Sequence, residues 1–137
     1  MAIVITTIGL LGLAAMQATG LKNNNSAYHR SQATVLAYDI ADRMRANTIS
    51  INNYLTSSMA LGDAAAQAGC KHLGGCSTDR MAENDLYEWN SDLQAALPSA
   101  TGTITLAVNI YTISVNWDEN LDGDLGNDDP VLVSFQP

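Results

Sequence analysis

The chain is poor in positive charge. It has six Lys and Arg against fourteen Asp and Glu in 137 residues, a net charge of −8 and a pI near 4.3. That deficit argues against nucleic acid as a partner, because phosphate binding wants a basic face. No charged side chain falls between Met1 and Leu21, no proline precedes Pro98, and no glycine stands between Gly20 and Gly62. Nothing in the first third therefore breaks a helix. A cleaved secretory signal needs a basic n-region, and nothing basic precedes Ala2, so that is not the expected reading. Catalytic constellations are missing as well. His29 and His72 have no serine or cysteine partner with a third orienting group, and the glycines show no phosphate-loop spacing. An enzyme is not expected, nor a small-molecule substrate.

What is present starts with Met1–Leu21, closed by Lys22 and three asparagines. As a helix this stretch is about 30 Å long, the thickness of a bilayer's hydrocarbon core. A helix apolar all round needs a larger host than the rest of this chain. The pattern therefore reads as a membrane or helix-bundle segment. Ile8, Leu10, Leu11 and Leu13 supply the apolar surface, and Gly9 and Gly12 allow close approach of another helix. Thr6, Thr7 and Gln17 soften it.

The helical pattern continues past Lys22. Ala33, Leu36, Ile40 and Met44 recur at helical spacing, with Val35, Ala37 and Ala41 widening the stripe, so one helix of about 45 residues is expected. Its first half leaves the domain and its amphipathic second half packs on it. The expected division is residues 1–22 as the transmembrane or filament-core half, and 23–137 as the head. Within the head, 47–100 form a connecting region with a short helix and 101–137 an antiparallel sheet.

Cys70 and Cys76 sit among Gly69, Gly74 and Gly75. The apolar N-terminal segment points to an oxidising compartment, where the pair forms a disulfide closing a short ring, worth about 2 kcal/mol. A zinc site of Cys70, His72 and Cys76 is the rival, lacking a fourth ligand and the usual spacing. Leu86, Trp89, Leu93 and Leu97 mark a second helix, capped near Ser77–Asp79 and ended by Pro98. Trp89 reads as a core anchor rather than a ligand platform. The period then changes. Ile104, Leu106 and Val108 alternate with Thr105 and Ala107, the phase flips after Asn109, and Tyr111, Ile113, Val115 and Trp117 follow. That is a β-hairpin, joined by a third strand over 131–135. The fold class is α+β.

The acidic loop between the last two strands holds six carboxylates over 118–129 and no base. Against a twelve-residue calcium loop it places Asp118, Asn120 and Asp122 at positions one, three and five. Gly123 falls at six, Asp124 offers its carbonyl at seven, and Asp129 stands at twelve. Calcium is thus a candidate cofactor. The flanks are strands rather than EF-hand helices, and a solvated acidic hairpin loop is the alternative.

These segments together resemble a type IV pilin, most closely the PilV group of minor pilins. The resemblance rests on Ile8–Ala14, Ser31–Thr34, Ala37-Tyr38-Asp39-Ile40-Ala41-Asp42-Arg43-Met44-Arg45-Ala46-Asn47, the cysteine pair, the Asp85-Leu86/Trp89/Leu97-Pro98 pattern and Tyr111–Trp117. It implies the pilin fold, a long N-terminal helix packed by its second half on an antiparallel sheet. It implies a subunit held in the inner membrane with a periplasmic head, then built into a cell-surface pilus. The implied partners are other minor pilins, the major pilin and a tip adhesin, and the implied role is priming assembly. A minor pseudopilin of a type II secretion machine and a membrane-anchored calcium-dependent binding module are the alternatives. The family's cleavage site and the glutamate just inside the mature N-terminus are not found. Alignment on Ala2 and Gly9 implies several residues ahead of Met1.

Overall fold

A computed structural model describes residues 2–137, with side chains from residue 6 onward. Helix α1 runs Ala2–Ala46, 45 residues without a break. Arg43 and Arg45 in its last turn complement the carbonyl end of the helix dipole. Ala33, Ala37, Ile40, Ala41 and Met44 are fully buried on one stripe of its second half, while every side chain from residue 6 to 25 is exposed. Leu36 packs at the edge of the core. Val35, expected to widen the stripe, is 60% exposed; its position turns it onto the outer flank.

Three 3-10 turns follow, at Thr48–Tyr54, Leu61–Asp63 and Ala68–Lys71, where a loop with one short helical turn was expected ahead of the second helix. The first is no mere connector, because Ile51 and Tyr54 are buried in the core. Helix α2 spans Thr78–Ala96. Ser77 caps it by accepting from the Arg80 N–H at 3.4 Å. Leu86, Trp89 and Leu93 are buried on its inner face, and Leu97, extended before Pro98, completes the stripe.

The sheet has three strands, β1 Thr101–Ala107, β2 Ile110–Asn116 and β3 Val131–Phe135, in the order β1-β2-β3 and antiparallel throughout. Its inner face carries Ile104, Tyr111, Ile113, Val115, Val133 and Phe135 against the two helices. Val108 and Asn109, with φ of 50° and 61°, form the two-residue hairpin turn. Val108 is therefore a turn residue and exposed, not the last inward position of β1, and Leu106 lies beyond the helices' cover. Gly102 takes the inward place instead, under the Trp89 ring.

Candidate functional site

The first half of α1 exposes a run of large apolar side chains. Ile8, Leu10, Leu11, Leu13, Met16 and Leu21 all stand more than half exposed. A Cβ built on Gly9 or Gly12 meets nothing within 4 Å, so these glycines make no close packing within the chain. Among the described residues, no helix is long and apolar enough to cross a membrane. The bilayer-length reading of Met1–Leu21 narrows accordingly: Thr6, Thr7, Gln17, Thr19 and three glycines dilute the stretch, and Met1 lies outside the described residues.

Where α1 meets α2, a charged network flanks the shared apolar core. Asp39, Arg43 and Asn47 recur every four residues, on one face. Arg43 pairs with Asp39 at 2.9 Å, Asp85 at 3.2 Å and Glu88 at 2.9 Å. Tyr54 donates its hydroxyl to Asp85 at 2.5 Å, and Asn47 Nδ2 donates to Tyr54 Oη at 3.3 Å and to the Thr78 carbonyl at 2.7 Å. Burial would lower the Arg43 pKa, but its bonds to Glu88 and the charges of Asp39 and Asp85 win, so it is raised. Burial, and then the bond to Asp85, push the Tyr54 phenol up. Lys71 and Arg43 bonds hold Glu88 down to about 2. Sequence periodicity singled out none of these as a network; the i, i+4, i+8 spacing on α1 was the signal available.

Cys70 and Cys76 are joined as a disulfide, with Cα atoms 4.7 Å apart, which removes the zinc alternative. The ring they close is tied to α2 by Lys71 and Glu88 at 2.9 Å.

In the acidic loop the carboxylates turn onto the loop's own backbone. Asp118 is nearly buried and accepts from the N–H of Asp122 and of Gly123 at 3.1 and 2.9 Å. Asn120 Oδ1 accepts from Asp122 N–H at 2.9 Å. Asp122 accepts from Asp124 N–H at 2.8 Å and from the Asn120 and Asn127 amides, and Asp124 accepts from Gly126 N–H at 2.8 Å. The Asn127 bond leads in holding the Asp122 carboxyl low. Asp129 is exposed, whereas Asp128 has a buried Oδ2 without a partner. Desolvation, and then Asp118, Asp122 and Glu119, raise the Asp128 carboxyl. Among the described residues no three His, Cys, Asp or Glu are gathered as a metal cage.

Residues 15–87 match the model of a family described as Tt1218-like, type IV pilin Tt1218. No match appears among curated proteins or solved structures. The matched span runs from the exposed part of α1 through the 3-10 turns and the disulfide to the middle of α2, so it contains the Arg43–Tyr54–Asp85 joint. It covers more than half of the chain, and the long helix packed on a small antiparallel sheet is consistent with it. The chain belongs to this type IV pilin family.

Proposed function

We propose that the protein is a minor pilin, of the PilV group, that helps prime a type IV pilus and joins a tip complex with other minor pilins and an adhesin. The division of α1 supports this reading best. Its second half is committed to the head, while its first half leaves an apolar flank with nothing to cover it. An uncovered apolar flank of that size marks an interaction surface, and helices of the same kind supply a fitting cover. Before assembly that flank would sit in the inner membrane, with the head in the periplasm, where the Cys70–Cys76 bond persists. The test is to shear and purify pili and quantify this chain beside the major pilin. Substoichiometric incorporation, with fewer pili when the gene is deleted, supports the reading; absence from pili with normal piliation contradicts it.

One observation favours a second reading, a minor pseudopilin of a type II secretion machine whose acidic loop takes calcium. The orphaned Asp128 oxygen stands where the charges of Asp118, Asp122 and Glu119 add up. Hard oxygen donors of this kind suit calcium, with Asp118, Asn120, Asp122, Asp124 and Asp129 as the proposed ligands. Loss of exoprotein secretion rather than of pili on deletion would select this reading.

A further inference from the structure

The acidic loop reaches back to α1. Ser26 Oγ donates to Glu119 Oε1, a contact across 93 positions of sequence. Ser26 lies about two turns, roughly 10 Å, before Ala33, where the fully buried stripe of the helix begins. Lys22 and Arg30 stand four residues to either side of Ser26, so the helical period places them on the same face, one turn above and below the contact. They are the only charged side chains in the first 38 residues. Among the described residues neither forms an ion pair, whereas Arg43, Arg45 and Lys71 all do. The loop that meets Ser26 brings six carboxylates and no cation. Three of those six carboxylates, Asp118, Asp122 and Asp124, are fixed on the loop's own N–H groups, so their negative charge is held in place rather than spread.

We infer that residues 118–129 form an electrostatic strap across α1, seated by Ser26 and held by the field of Lys22 and Arg30. The strap moves the boundary of the head from Ala33 out to about Lys22. Closed, it stiffens the helix to that point and leaves residues 6–21 for neighbouring helices. Open, it releases about three further turns. Its consequence for assembly rests on the pilin reading; its existence does not.

The strap attraction acts through water over several ångströms, so salt should loosen it: the screening length is about 10 Å at 0.1 M and about 3 Å at 1 M. The test is hydrogen exchange on the full chain in detergent micelles with chelator, following amides 22–32 and 118–124 at low and at high NaCl. In the wild type, exchange of both segments should rise on the order of 3- to 10-fold at high salt, as expected of a local opening. Lys22→Gln/Arg30→Gln should exchange fast at both salts, and Lys22→Arg/Arg30→Lys should behave as wild type. Equal exchange in the wild type and the Gln variant, or no salt response, overturns the strap. Incorporation of the wild-type chain into pili is scored separately, so either reading can fail alone.

Discussion

Trp89 lies directly against Gly102: a Cβ at that glycine would come within 2.5 Å of the indole Cη2. The same indole donates its N–H to the Leu36 carbonyl of α1 at 2.9 Å. One side chain thus fixes the spacing between both helices and the first strand. Gly102→Ala should force that ring outward and cost about 1–3 kcal/mol, as overpacking does. A thermal melt followed by circular dichroism checks it. An unchanged midpoint would show that the ring is not held there.

The Arg43–Asp85–Tyr54 joint is the second place where one substitution should be felt widely. Asp85→Ala leaves the Tyr54 hydroxyl and part of the Arg43 guanidinium without their acceptor. A loss of about 2–4 kcal/mol is expected from an uncompensated buried network. Tyr54→Phe combined with Asp85→Ala should cost less than the sum of the two, because they share one bond. Strict additivity in denaturant titrations would contradict the network.

Acid should weaken the same joint at its outer edge. The folded Glu88 carboxyl is held to about 2, below its ordinary 4.5. Its contribution is therefore present above about pH 4.5 and lost as pH falls toward 2. Glu88 is partly exposed, so the effect should be about 1 kcal/mol or less. Glu88→Gln should flatten the stability profile across that window and leave it unchanged near neutrality in shape. A profile identical to wild type would exclude the pairing with Lys71 and Arg43.

Calcium at the acidic loop is checked by the difference between melts with calcium and with chelator. If the loop binds the ion, saturation at about a hundred times the dissociation constant adds about 2.7 kcal/mol. Asp122→Ala should abolish that difference. Superimposable melts for the wild type would rule the ion out.

Much of this fold was legible because side-chain spacing alone decides it. The stripe Leu86, Trp89, Leu93, Leu97 and the alternation Tyr111, Ile113, Val115, Trp117 both ended up buried as the period required. Pro98 stopped α2 because the residue before it must be extended. Other features depend on which elements meet, and periodicity carries no such information. Gly102 reads as a weak point in a strand until Trp89 is placed over it. Val108 reads as an inward strand residue until the hairpin closes through it. Asn47 and Ser50 read as loop polarity, yet both are buried, Asn47 bonding to Thr78 and Ser50 to Thr78 and Asp79 at the start of α2. The first half of α1 was legible as apolar, but whether lipid or other helices cover it is not a property of a single chain.

That last point is the central one, and it is open to direct measurement. Photo-crosslinking residues placed singly at Leu11 and Leu13, with a control at Thr103 on the outer face of the sheet, would be activated in cells that make pili. The account predicts adducts with other pilins from both helix positions and few from the control. A chain present in the envelope that yields only lipid adducts or uncrosslinked monomer from Leu11 and Leu13 would contradict it.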